Sequence, residues 1–165
     1  MIAVTDVIMY ITVISDRSYK IPGNPIDLEV NERLILQMND NSKKHSILIV
    51  DDDKTNIIAL TYILEANYNV LSLLDSTQTV QLAENELPDL ILLDILMPEM
   101  DGFEVITLLK LNEKTKNIPV IFITGLDNVK AEENGLMLGA ADYIAKPFHP
   151  AIVKLRVENQ IQRRN

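Results

Sequence analysis

Residues 88–104 read PDLILLDILMPEMDGFE and carry the strongest structural signal in the chain. The uninterrupted apolar run at 90–93 has the length and composition of a strand buried on both faces, as in a parallel sheet. Asp94 follows this run directly. After it come Pro98, which stiffens the backbone, and Gly102, which permits a turn into a helix. The stretch therefore predicts a strand, a loop that carries an acidic residue, and a helix.

Similar apolar runs lie on both sides of this stretch, and amphipathic segments separate them. The other predicted strands are 47–50, 69–73, 120–123 and 143–145. Ile57, Leu60 and Leu64 share one face of the first predicted helix. Five strand–helix repeats with right-handed crossovers predict a doubly wound α/β domain with helices on both faces of a parallel sheet.

The composition excludes several classes of site. The formal net charge is −9, which argues against direct nucleic acid binding, because phosphate neutralisation needs clustered Lys and Arg. The chain has no cysteine, so disulfides, thiolate metal sites and cysteine nucleophiles are ruled out. The apolar run at 7–14 is far shorter than the ~20 residues of a membrane span, and no basic segment precedes it. We expect a cytoplasmic protein with no membrane partner.

The character of the sequence changes near residue 45. Residues 1–45 show no clear period and no motif, and are expected to be an N-terminal extension of unknown role, either disordered or partly ordered. Residues 46–165 are predicted to form the folded domain. An apolar stripe in the last predicted helix persists to the final residues, so the chain is either a stand-alone domain or a fragment of a longer protein.

Acidic residues follow two of the predicted strands. Asp51, Asp52 and Asp53 come after the first, and Asp94 comes after the third. Because parallel strands end at one edge of the sheet, we expect these side chains to converge. Carboxylates this close raise one another's pKa unless a cation stabilises them. Because the available ligands are all hard oxygens, the pattern predicts a Mg²⁺ site. Asp53 is not counted among its ligands and is predicted to be either solvated or a helix N-cap.

Asp94 is the candidate nucleophile at this edge, since carboxylates form covalent aspartyl phosphates. Two polar groups follow other strands: Thr124 after the fourth and Lys146 after the fifth. A cation, an ammonium and a hydroxyl placed in advance would stabilise the charge on a transferring phosphoryl group. Gly125 leaves space beside Thr124 where a side chain would crowd the phosphate.

Four stretches together give a specific resemblance: ILIVDDD at 47–53, PDLILLDILMPEMDGFE at 88–104, IPVIFITG at 118–125 and GAADYIAKPF at 139–148. With them, residues 46–165 resemble the receiver domains of bacterial two-component response regulators, the family of the chemotaxis response regulator. The resemblance implies the flavodoxin-like fold, with five parallel strands in the order 2-1-3-4-5.

The resemblance also implies a role for each acidic residue. Asp94 would accept a phosphoryl group from a sensor histidine kinase or a phosphotransfer protein. Asp52 and Asp94 would ligate Mg²⁺ directly, and Asp51 would act through a water molecule. The backbone carbonyl of Leu96 would be a further metal ligand.

The remaining implied roles concern phosphate contacts and switching. Lys146 would pair with the phosphoryl group, and a cis peptide bond would join it to Pro147. Thr124 and Tyr143 would form the switch pair, in which the hydroxyl moves toward the phosphate and the ring turns inward. The signal would leave through the fourth helix, the last strand and the last helix, from about 128 to 164. It would reach an effector domain or protein, or a second copy of the chain in a homodimer.

Two alternatives to a phosphorylated switch are a phosphohydrolase and a protein-interaction module. A Mg²⁺-dependent phosphohydrolase of the haloacid dehalogenase type needs a second acid two residues after its nucleophile, and that position here is Leu96. A receiver-like interaction module that is not phosphorylated would be expected to lack some of the phosphorylation residues. We therefore expect a signalling switch rather than an enzyme.

Overall fold

A computed structural model describes residues 44–125 and 135–163. The predictions for residues 1–43, and for the part of the output surface at 126–134, lie outside the described residues. The strands are β1 Ser46–Val50, β2 Asn69–Leu73, β3 Leu90–Asp94, β4 Val120–Thr124 and β5 Asp142–Ala145. The helices are α1 Lys54–Leu64, a 3₁₀ turn Ser76–Gln78, α2 Thr79–Glu86, α3 Gly102–Leu111 and the C-terminal helix Pro150–Gln162.

The five described strands form one parallel sheet in the order β2-β1-β3-β4-β5. This order confirms the expected fold. Each predicted strand is present, and the observed bounds differ from the predicted runs by at most one residue at an end. In the sheet, β2 lies on one side of β1, and β3 lies on the other. Strand order therefore reverses between β1 and β3, which is where such sheets bind ligands.

Apart from Ser46, Asp94 and Thr124 at their ends, the central strands β1, β3 and β4 are apolar, because the sheet has a core on each face. Alternate residues of a strand point to opposite faces, and the two buried clusters divide β1 and β3 in this way. The first cluster holds Ile47, Ile49, Leu90 and Leu92, with residues of α1 and the C-terminal helix. The second holds Leu48, Val50, Ile91 and Leu93, with residues of α2 and α3. A fully buried Leu or Ile contributes about 1.5–3 kcal/mol relative to an exposed one.

Side-chain caps fix the starts of α1 and α3, the helices that follow β1 and β3. The Asp53 carboxylate caps α1 by accepting a hydrogen bond from the amide of Thr55 at 2.8 Å, which confirms the N-cap reading of Asp53. Asp101 and Glu104 form a reciprocal capping box at the start of α3. These caps hold the loops after β1 and β3 in place. Within the described residues, every helix is too short or too polar to span a bilayer.

Candidate functional site

Three carboxylates converge at the reversal point of the sheet. Asp51 follows β1 and Asp94 ends β3; both are buried, whereas Asp52 is exposed. One oxygen from each of the three lies within 4.8 Å of the other two. The structure therefore brings together the three acidic residues predicted as metal ligands. A set of hard oxygen donors with one open, exposed side suits Mg²⁺, which keeps some of its waters.

Lys146 reaches this cluster from the loop after β5. Its Nζ donates hydrogen bonds to Asp51 Oδ2 at 3.0 Å and to Asp94 Oδ2 at 2.9 Å. Its backbone amide donates to the carbonyl of Thr124 at 2.8 Å, which ties the loop to the end of β4. The peptide bond to Pro147 is cis, which confirms that expectation. The ammonium thus bridges two of the three carboxylates.

Burial and charge shift the protonation of this group of side chains. Burial raises the pKa of Asp94, and the negative charge of Asp51 adds to the rise, while the hydrogen bond from Lys146 opposes it. Burial lowers the pKa of Lys146, but the hydrogen bonds and negative charges of Asp94 and Asp51 outweigh this and raise it above its usual value. The ammonium is therefore retained at neutral pH. A further cation beside Asp94 would favour its ionised, nucleophilic form.

Thr124 and Gly125 form the next part of the edge. Thr124 is the last residue of β4, with 7% of its surface exposed, and it pairs with Ala145 of β5. Among residues 44–125 and 135–163, a side-chain carbon at Gly125 would meet no other atom within 4 Å, which agrees with the space expected there. Leu96 lies two residues beyond Asp94, and its side chain is 59% exposed. Its carbonyl as a metal ligand stays a prediction.

Tyr143 lies on β5 beside Phe122 of β4, to which it is paired in register. The two ring centroids are 5.5 Å apart, and Phe122 in turn makes an edge contact with Phe103 of α3. The ring also packs on the backbone of Gly135: a side-chain carbon there would lie 2.8 Å from Tyr143 Cζ. The structure therefore places Tyr143 half-buried within an aromatic row, one strand away from Thr124. Its role as a switch partner stays a prediction.

Sequence reasoning missed two residues at this site. Asn56 on α1 donates from Nδ2 to both oxygens of Asp51, at 3.1 and 3.0 Å. Gly102 packs directly on the backbone of Asp94 and Ile95. Asn56 belongs to no motif, although its place one helical turn after three consecutive aspartates was a usable signal. Gly102 was read as a turn residue, because nothing local indicates what lies against it.

One protein family, and several known proteins, are similar to this chain. Residues 47–158 match the family described as the response regulator receiver domain. The chain is 38% identical over 137 residues to a probable cyclic di-GMP phosphodiesterase of Vibrio cholerae; the match covers 83% of this chain and 31% of that protein. The chain thus spans about a third of the length of that relative.

Solved structures resemble the described domain closely. A putative response regulator from Chloroflexus aurantiacus superposes with a TM-score of 0.70 at 34% identity, covering 73% of this chain and 99% of that one. The receiver domain of the sensor histidine kinase PA1611 from Pseudomonas aeruginosa gives a TM-score of 0.68 at 30% identity, with the same coverages. That structure has a magnesium ion coordinated in its active site cleft.

Proposed function

The chain belongs to the response regulator receiver domain family. We propose that it is a signalling switch that is phosphorylated on Asp94, with Mg²⁺ bound beside this residue. Receiver domains are signalling switches of two-component systems and are generally not enzymes. The observation that carries the proposal is the convergence of three carboxylates within 4.8 Å, two of which are bridged by the Lys146 ammonium. We assign the receiver domain to residues 46–165 and regard residues 1–45 as an extension.

In the proposed reaction, one carboxylate oxygen of Asp94 attacks the phosphorus of a phosphohistidine. The phosphorus–nitrogen bond breaks, the imidazole leaves with its electron pair, and an aspartyl phosphate forms. Mg²⁺, held by Asp52 and Asp94 and through water by Asp51, would neutralise charge on the phosphoryl oxygens. The backbone carbonyl of Leu96 is the further proposed ligand. The acidic oxygens of this chain fit such an ion in type and spacing.

Lys146 and Thr124 complete the proposed site. The Lys146 ammonium lies 2.9 Å from Asp94 Oδ2, so a small rotation of its side chain would pair it with an incoming phosphoryl oxygen. The Thr124 hydroxyl, at the end of the next strand, would donate a second hydrogen bond. Drawing Thr124 toward the phosphate would change the space available to the ring of Tyr143. This change would shift the conformational equilibrium of the surface formed by β5 and the helices on either side of it.

The proposed partners follow from this chemistry. A sensor histidine kinase or a phosphotransfer protein would supply the phosphoryl group in the cytoplasm. An effector domain or protein, or a second copy of the chain, would read the altered surface. Membrane and nucleic acid are not proposed as direct partners, and the phosphodiesterase activity named for the Vibrio cholerae relative is not carried over.

Removal of the metal tests the proposed site. We expect acetyl phosphate to label the protein in the presence of Mg²⁺, and chelation with EDTA to slow labelling by about 100-fold. The metal is expected to supply several kcal/mol of charge stabilisation, and about 1.36 kcal/mol corresponds to each tenfold change in rate. The adduct is quantified by intact-protein mass spectrometry over time. Restoring Mg²⁺ should restore the rate, and labelling that is indifferent to EDTA would contradict the proposal.

A further inference from the structure

The carboxylate of Asp51 has no exposed surface, and three donor groups surround it. Its Oδ1 accepts hydrogen bonds from the amide of Asp53 at 2.8 Å and from Asn56 Nδ2 at 3.1 Å. Its Oδ2 accepts from Asn56 Nδ2 at 3.0 Å and from Lys146 Nζ at 3.0 Å. These contacts come from three donor groups, and the two made by Asn56 share one nitrogen.

Asn56 is the only one of these donors that contacts both oxygens of Asp51. It is the third residue of α1, after the N-cap Asp53, and its side chain is half-buried. At this helix position a long polar side chain often turns back to the N-cap amide. Here the carboxamide reaches past the N-cap to the end of β1. It straddles the two oxygens of Asp51 and so restricts rotation of the carboxylate plane.

We propose that Asn56 is a positioning residue that keeps the Asp51 carboxylate aimed at the metal site during phosphoryl transfer. The inference rests on the proposed function, in which Lys146 leaves Asp51 to pair with the phosphoryl group. Once Lys146 has turned away, the remaining donors to Asp51 are the Asp53 amide, on one oxygen, and Asn56, on both. The amide of Asn56 can hold the carboxylate without adding charge to the cluster.

A side-chain amide at position 56 suits this positioning role better than a carboxylate or an apolar side chain would. A carboxylate at position 56 would repel Asp51, and an apolar side chain would remove the one donor that contacts both of its oxygens. Mg²⁺ demands nearly ideal octahedral geometry, so its affinity depends on carboxylates that are oriented beforehand. Partners that orient metal ligands typically change metal affinity by about 10–100-fold when they are removed.

The test compares the protein with its Asn56→Leu variant, which keeps the branching of the side chain at Cγ but cannot donate a hydrogen bond. MgCl₂ alone is titrated, and the shifts of backbone amide resonances give the dissociation constant without any phosphorylation. We expect about 10-fold weaker Mg²⁺ binding in N56L. The Asp53 amide proton should also shift in the metal-free variant, since its acceptor is no longer held. Asn85→Leu, at an exposed position of α2, is the matched control and should bind Mg²⁺ like the wild type.

A second readout separates positioning from general structural damage. In acetyl phosphate labelling, the Mg²⁺ concentration that gives half the maximal rate should rise in N56L, while the rate at saturating Mg²⁺ stays close to that of the wild type. If N56L does not fold, Asn56→Ala replaces it in the same titrations. Equal Mg²⁺ affinity in the wild type and either folded variant would overturn the role of Asn56 and leave the phosphorylation of Asp94 standing. A wild type that shows no saturable Mg²⁺ binding would overturn the proposed function itself.

Discussion

Replacing Gly102 with alanine is expected to lower the free energy of unfolding by about 2 kcal/mol, within the range for overpacking a buried site. Gly102 is the first residue of α3, and it is buried. A side-chain carbon there would collide with the backbone carbonyl oxygen of Asp94 and would lie 2.9 Å from the Cα of Ile95. The amide of Gly102 also donates to the carbonyl of Ile95 at 2.9 Å, so the two segments cannot separate without losing that bond. The contact is backbone on backbone, which leaves no flexible side chain to yield.

Urea unfolding followed by circular dichroism measures this loss, provided that wild type and variant share the same m-value. Gly125→Ala is the matched control, because a methyl group there would meet nothing within 4 Å in the part of the chain that the structure describes. It is expected to change stability by less than about 0.5 kcal/mol. A G102A variant as stable as G125A would show that the loop after β3 can move away from α3. That result would contradict the close packing described for the start of this helix.

Replacing Lys146 with methionine is expected to slow phosphorylation of Asp94 by acetyl phosphate about 100–1000-fold, the loss typical when one preorganised donor to a developing charge is removed. The ammonium lies 2.9 Å from Asp94 Oδ2, where it can reach the incoming phosphoryl oxygens. Methionine keeps much of the length of the side chain but has no charge and no N–H. The rate of adduct formation at saturating Mg²⁺ measures the effect.

Lys154→Met provides the matched control for K146M, since Lys154 is exposed on the C-terminal helix. The control should be phosphorylated at the wild-type rate. Urea unfolding of K146M identifies any loss of folded protein, because Lys146 also offsets the charges of Asp51 and Asp94. A folded K146M variant that is labelled as fast as the wild type would contradict the proposed role of Lys146 in the reaction.

The strands could be predicted from sequence because burial on both faces leaves an unbroken apolar run. For example, 90–93 is apolar throughout, and each of its residues is fully buried. The convergence of Asp51 and Asp94 also followed from one physical rule, that parallel strands end at a common edge. The strand order 2-1-3-4-5 came from the family resemblance, since the apolar runs alone do not specify which strands are neighbours.

Contacts that depend on how two segments meet in space could not be predicted in the same way. Gly102 touches the backbone of Asp94 only because α3 folds back over the end of β3. The ring of Tyr143 packs on Gly135, and this close approach depends on how two segments meet in space. The two hydrogen bonds from Asn56 depend on its rotamer and on the start of α1. No period in the sequence indicates which atoms these side chains and backbones contact.

The most direct test of the central claim is the intact mass of the wild type and of Asp94→Asn after incubation with acetyl phosphate and Mg²⁺. Asparagine keeps the shape of the side chain but removes the nucleophilic carboxylate from the end of β3. We expect a labile adduct of one phosphoryl group on the wild type and none on D94N. No adduct on the wild type, or an equal adduct on D94N, would contradict Asp94 as the phosphoryl acceptor and would favour a receiver-like interaction module instead.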